Sequence, residues 1–151
     1  MELAELEGTS LPDGELTIES WQAFLWADAT RNEEAAFRYG DAATEQGEAG
    51  QLVPPTMCQH LAVDATGGIE GTLGNVAPDW KEGAALARLD ADFNQPIRVH
   101  EPYHVSGYIP NVATKDGSRG ELTFVTFEYD VTTTAGEPVY DLSFDVVLFD
   151  A

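Results

Sequence analysis

Cys58 and His60 stand two residues apart and are the types that bind soft metals. A structural zinc site takes four ligands, usually as two close pairs, and no second pair accompanies these. They read instead as a small buried thiol and an imidazole on a helix face. His100 and His104 flank Pro102-Tyr103 in a segment patterned as a strand. Four residues along a strand is about 13 Å, too far for one ligand shell. Asp90, Asp92 and Asn94, with Glu101 in the twelfth position, imitate a calcium loop, but Gln95 fills the sixth position, where the sharp turn takes glycine. The same run alternates Leu89, Ala91 and Phe93 with Asp90, Asp92 and Asn94, as a half-buried strand does. No metal site is expected. Nor is a cofactor: Gly67 to Gly74 fits neither a phosphate loop nor a dinucleotide fingerprint, and no Gly-x-Ser-x-Gly elbow is present.

The elements that would position any site are helices first and strands last. Ile18, Trp21, Phe24 and Leu25 recur at helical spacing, with Thr17 as N-cap and Glu19 in the first turn. Asn32 predicts the cap of a second helix, running past Ala36, Phe37 and Tyr39 until Gly47 stops it. Val53-Pro54-Pro55-Thr56 predicts a third helix from about Thr56, because proline is tolerated where an amide has no helical partner. Residues 65–83 are glycine-rich and read as irregular. Strands are predicted at 86–93, 98–114, 121–133 and 138–149, with turns at Asp116-Gly117 and Ala135-Gly136. In the last strand Tyr140, Leu142, Phe144, Val146 and Leu148 alternate with Asp141, Ser143 and Asp145, so one face is buried and the other wet. The expectation is an α+β fold with a helix packed on an antiparallel sheet, in one domain spanning 1–151 whose residues 1–10 form a loose acidic N-terminus.

The chain has 151 residues, with 27 acidic against 7 basic side chains and a net charge of −20. That field repels phosphate, which argues against a nucleic-acid partner. The acids are spread along the chain, so they form a coat rather than a tail, and the expectation is adaptation to a salty cytosol. A lone cysteine makes no internal disulfide, Met1 to Ser10 has no signal-peptide pattern, and no apolar run is long enough to span a membrane. A cytoplasmic protein without membrane contact is expected.

The order of segments carries a resemblance. Trp21 to Ala29, then Thr30-Arg31-Asn32, then Val53-Pro54-Pro55-Thr56, then long strands with Gly120-Glu121-Leu122-Thr123-Phe124-Val125 and Gly136-Glu137-Pro138-Val139, resemble the MaoC-like N-terminal dehydratase family over roughly residues 9–150. The resemblance implies a hot-dog fold, a long antiparallel sheet wrapped around a central helix, working as a dimer on acyl thioesters of coenzyme A or acyl carrier protein. Active members carry Gly-Asp-x-Asn-Pro-x-His, whose Asp and His move the protons. Aligned on Asn32, this chain has Thr30 in place of the aspartate and Ala35 in place of the histidine. Threonine is too weak a base at neutral pH, and alanine exchanges no proton.

The resemblance therefore implies a subunit that shapes an acyl channel beside a catalytic hot-dog partner, with Trp21, Leu25, Val53, Pro54, Pro55, Thr56 and Met57 lining the channel. A homodimer and a heterodimer both fit. The alternatives are an active hydratase or thioesterase with relocated groups, drawn from Asp28, Glu33 or His60, and a plain acyl-binding or scaffold protein. For coenzyme A phosphates the cations available are Arg31, Arg38, Lys81, Arg88, Arg98, Lys115 and Arg119. Arg31 falls beside the emptied motif, where an ion pair to Glu33 or Glu34 is the plainer expectation.

Overall fold

The computed structural model describes residues 2–80 and 83–149. In chain order it runs β1 (Gly14–Leu16), α1 (Ser20–Ala29), α2 (Gly40–Glu45), α3 (Cys58–Ala65), α4 (Gly68–Leu73), β2 (Ala84–Phe93), β3 (Tyr103–Gly117), β4 (Gly120–Thr133) and β5 (Pro138–Phe149). The strands form one sheet in the order β1-β3-β4-β5-β2, antiparallel throughout. Lys81 lies outside the described residues.

The alternation read in the last strand holds across its neighbours. Tyr103, Val105 and Ile109 of β3, Val125, Phe127, Tyr129 and Val131 of β4, and Tyr140, Leu142, Phe144 and Val146 of β5 share one face and are all nearly inaccessible. Onto that face pack Met57 and, from the first turns of α3, Cys58, Leu61 and Ala62. The helix starts where the double proline requires. Pro55–Met57 makes a 3-10 turn that runs straight into α3. From beneath, the Tyr140 hydroxyl donates to the Cys58 carbonyl at 2.8 Å. Burial pushes the Cys58 thiol up and the Tyr140 phenol well above its usual value, so both are neutral packing groups at physiological pH.

β3 contains a bulge, because Ile109 and Pro110 together oppose one residue between the pairs Tyr108–Glu128 and Asn111–Thr126. Proline donates nothing to a ladder, and a bulge is where a strand tolerates that. Gly107 serves a different need: a Cβ there would lie 2.8 Å from the Tyr129 ring and 3.0 Å from Leu11. Gly107→Ala is expected to lower the unfolding free energy by about 1–3 kcal/mol through this overpacking, measurable by urea denaturation.

Several expectations need correction. Residues 1–10 are not a loose end over the described part. Leu6 is buried, Gly8 and Leu11 donate to Ile109 and Gly107 carbonyls, and Ile109 donates back to Thr9, so the segment docks along β3. Glu19, not Thr17, is the N-cap of α1, and its amide donates to Gln22 Oε1 at 2.8 Å. The second helix is broken: Ala35–Phe37 is a 3-10 turn, Tyr39 is extended at φ −137°, and only then does α2 begin. Gly47, at φ +89°, ends α2 as read from sequence. The glycine-rich stretch holds a helix after all. Gly67 and Gly68, both at positive φ, turn the chain from α3 into α4, whose Leu73 is fully buried. β2 begins two residues before its predicted start. β3 begins at Tyr103 rather than 98, since His100 takes φ +65° and donates its amide to Ile18. The β3–β4 hairpin turns at Ser118-Arg119 between the paired Gly117 and Gly120, not at Asp116-Gly117.

The opposite, wet face of the sheet is acidic. Asp92, Asp141 and Asp130 are successive register partners across β2, β5 and β4. Partial burial, then the neighbouring Asp141, holds the Asp130 carboxyl above the ordinary carboxylate range. A raised folded-state value means that the protonated form suits the fold. The resulting penalty is absent well below the ordinary value and grows as pH rises through the raised one. Asp130→Asn is accordingly expected to raise stability at neutral pH, with the gain shrinking on acidification, as urea titrations at two pH values would show.

Candidate functional site

The motif-equivalent segment is the C-terminal end of α1 and the turn after it. Thr30 is the C-cap, and its hydroxyl donates to the Trp26 carbonyl at 2.7 Å. Arg31 takes the left-handed conformation at φ +56°, and the Asn32 amide returns to the Ala27 carbonyl at 2.7 Å. A helix whose next residue is left-handed and whose following amides bond back to the last turn is a C-capping motif. Asn32 Oδ1 accepts the Glu34 amide at 3.1 Å, holding an Asx turn rather than capping a helix. Ala35 opens the following 3-10 turn. This segment is built to terminate a helix.

Arg38 fastens it. Its Nε donates to the Asn32 carbonyl at 2.9 Å, its Nη1 to Asp28 at 3.2 Å, and its guanidinium lies 5.4 Å from the centre of the Phe24 ring. Asp28, a candidate for relocated chemistry, is thus an exposed carboxylate paired with arginine. Glu33 is exposed on the same turn. The ligand of the Arg38 guanidinium is therefore the motif backbone itself, and Arg31 projects from an exposed position beyond it.

Beside α3 lies an apolar cleft of about 460 Å³, within the size range of small-molecule sites. Its walls are Phe37, Leu52, Val53 and Pro55 on one side and Phe93, Pro96 and Ile97 on the other. The loop 94–102 holds its far wall. Val53 donates to the Ile97 carbonyl, Tyr103 Oη accepts the Arg98 amide at 2.8 Å, and Tyr103 donates to Glu101 at 3.1 Å. Burial pushes the Tyr103 phenol up to about 12. Gln51 ties the near wall to α1 and the 3-10 turn. It accepts from the Ser20 hydroxyl and donates to the Ser20 and Phe37 carbonyls.

The seven residues expected to line an acyl channel separate. Val53 and Pro55 line the cleft, and Pro54 is buried between them. Thr56 accepts the Trp26 indole N–H at 2.9 Å, fixing α1 to the start of α3. Met57 faces a second groove of about 330 Å³ that also holds Glu15, Gln22, His60 and Asp64. Trp21 and Leu25 lie outside both, 62% and 55% exposed on the open face of α1, because α1 buries its small residues Ala23 and Ala27 instead. Phe37, Leu52 and the whole wall from Phe93 to Ile97 were missed. Residues 94–102 carry no periodic pattern, and long-range pairings bring them here: the bridge Leu52–Arg98 and the backbone bonds Val53 to Ile97 and Val99 to Gln51.

His60 packs against Trp26, ring centres 5.7 Å apart, on the exposed side of α3. His104 sits on β3 opposite Glu15, and His100 Nδ1 lies 3.4 Å from Glu19 in the preceding loop. Among the described residues no group of three or more His, Cys, Asp or Glu side chains is placed to hold a metal. No helix of the described residues is long and apolar enough to cross a membrane. Chemically, the site offers an apolar slot beside the start of a helix, and a motif turn in which Thr30, Asn32 and Arg38 bond to the backbone.

No family model matches this sequence, and no curated protein matches it. Solved structures do. The chain is similar to a C-terminally truncated HadBC (3R-hydroxyacyl-ACP dehydratase) complex from Mycobacterium tuberculosis, with a TM-score of 0.77 at 17% identity over 94% of this chain and 96% of that one. It is similar to the ChsH1–ChsH2 complex from the same organism, with a TM-score of 0.71 at 17% identity over 94% and 83%. A MaoC-like dehydratase from Rhodospirillum rubrum gives a TM-score of 0.68 at 18% identity over 100% and 98%. The sheet order, the bulged long strands and the helix lodged on their buried face are the hot-dog fold, the fold of these dehydratases.

Proposed function

We propose that the chain is the non-catalytic subunit of a dehydratase or enoyl hydratase acting on acyl thioesters of coenzyme A or acyl carrier protein. In this reading it shapes the acyl channel while a hot-dog partner supplies the Asp/His pair. The observation that carries this reading is the motif turn: Thr30 and Ala35 stand where a proton-transfer pair belongs, and the Thr30 hydroxyl is spent on the Trp26 carbonyl. Adding water to an enoyl thioester puts negative charge on the thioester oxygen and requires a group to take and return a proton. A helix C-cap does neither. The cleft between Val53, Pro55 and Phe93 has the apolar lining that an acyl tail takes. The structural neighbours fit the reading in that two of them are complexes.

Copurification of this chain from its native cell tests the proposal. The expected companion is a second hot-dog chain with the Asp and His in place. A companion lacking them contradicts the reading. One observation favours a second reading, an enzyme with relocated groups: His60 and Asp64, a turn apart on α3, share a groove with Glu15. His60→Ala separates the two, since it abolishes turnover only in the second.

A further inference from the structure

In a chain with 27 acidic and 7 basic side chains, a cation has carboxylates all around it, and three of the described arginines take one. Arg38 pairs with Asp28, Arg88 with Asp90 and Asp145, and Arg98 with Glu48. Arg31 does not. Asp28, Glu33 and Glu34 all stand within three residues of it, yet among the described residues its guanidinium has no ion pair and no hydrogen bond. The ion pair expected from sequence is absent: Glu34 accepts from Gln46 at 3.0 Å instead.

The backbone of Arg31 is equally out of keeping. It stands at φ +56°, in the position after a helix that glycine usually takes, because a side chain is strained there. Arg119 is also unpaired, but it sits in the β3–β4 turn without a positive φ, so solvation alone accounts for it. The turn around Arg31 is held on both sides. Its own amide donates to the Asp28 carbonyl at 3.1 Å, the Asn32 amide to the Ala27 carbonyl, and Arg38 Nε to the Asn32 carbonyl. Strain that the surroundings enforce beneath a free charged side chain points to a function for that side chain.

The same turn is joined to the apolar cleft. Phe37 of the cleft wall directly precedes Arg38, and Leu52, also in the wall, donates its amide to the Ala36 carbonyl at 3.0 Å. A guanidinium recognises phosphate through paired N–H donors. The neighbouring carboxylates oppose any free anion, so the anion that Arg31 takes needs a second contact to raise its local concentration. An acyl tail seated between Val53, Pro55 and Phe93 is such a contact. Coenzyme A and acyl carrier protein carry their acyl chains on the same group, a pantetheine ending in phosphate.

We infer that Arg31 binds the pantetheine phosphate of an acyl thioester whose acyl tail lies in the cleft. This rests on the reading of the cleft as an acyl channel, and it adds the part of the substrate beyond the acyl chain that this subunit recognises. The turn that carries no proton-transfer pair still contacts the substrate.

Calorimetric titration of the full chain and of Arg31→Asn tests this with three ligands: butyryl-pantetheine, butyryl-phosphopantetheine and butyryl-CoA. Asparagine tolerates the left-handed region, so the variant loses the charge and keeps the turn, and its thermal midpoint is expected within about 2 °C of wild type. Wild type is expected to bind butyryl-phosphopantetheine about tenfold more tightly than butyryl-pantetheine, the usual worth of one charged hydrogen-bonded contact. Arg31→Asn is expected to lose that factor for both phosphorylated ligands and to bind butyryl-pantetheine as wild type does. A loss confined to butyryl-CoA would place the contact on its nucleotide and overturn the inference. Equal loss for all three ligands would show a purely structural role and overturn it too. Unchanged affinity in the variant sinks the phosphate site alone, since the copurified companion judges the subunit reading. A wild type that binds none of the three overturns the site and the acyl channel together.

Discussion

Given crotonyl-CoA alone, the purified chain is expected to hydrate it about 10²–10⁴-fold more slowly than a hot-dog hydratase with its pair intact, the usual contribution of positioned acid–base groups. The physical reason lies in three side chains. Thr30 donates its hydroxyl proton to a helix carbonyl, so it neither sits free nor titrates near neutral pH. Ala35 has no functional group. Asp28, a carboxylate two residues before Thr30, is exposed and paired with Arg38, whose other contacts hold the turn in place. The loss of enoyl absorbance on hydration measures this directly. Turnover by the lone chain at the rate of an intact hydratase would mean that the proton is handled elsewhere, with the groove of His60 the first place to look.

The second large effect concerns the sheet that builds the cleft. Phe144→Ala is expected to cost about 3–5 kcal/mol of unfolding free energy. Phe144 has no accessible surface, and its ring stacks on Phe127 at 5.1 Å and on Tyr129 at 5.7 Å, in the middle of the face that α3 covers. Truncation forfeits the burial of the ring, those ring contacts and the close packing around the void. Phe149→Ala, in the last described position of β5 and 41% exposed, is the control. It should cost less than about 1 kcal/mol. Equilibrium urea unfolding reports both, and equal costs would mean that the stacked rings are not the centre of the core.

What could be read from sequence was what is written locally. The alternation of β5 placed its buried face residue by residue, and the double proline located the start of α3, because both follow from short-range constraints. Asn32 misled for an equally local reason. The same side chain that caps helices also closes Asx turns, and here it accepts the Glu34 amide while Tyr39 breaks the predicted helix. Leu6 looked like part of a loose acidic end, since nothing nearby in sequence reveals that Ile109 pairs with Gly8 and Thr9. The cleft was half legible for the same cause. Val53 and Pro55 announce themselves through the helix start, whereas Phe93, Pro96 and Ile97 arrive only through pairing between distant segments. Trp21 and Leu25 marked a helix correctly and its buried face wrongly, because the sequence holds two stripes on α1 and the alanine stripe is the one that packs.

The most direct test of the account uses the assembled complex, with crotonyl-CoA hydration followed while each chain is changed in turn. Replacing the aspartate of the partner's motif should abolish turnover, whereas Asp28→Asn and His60→Ala in this chain should leave the rate unchanged. Activity that survives the partner's change, or is lost with Asp28 or His60, would show that this chain moves the proton itself and would contradict the account at its root.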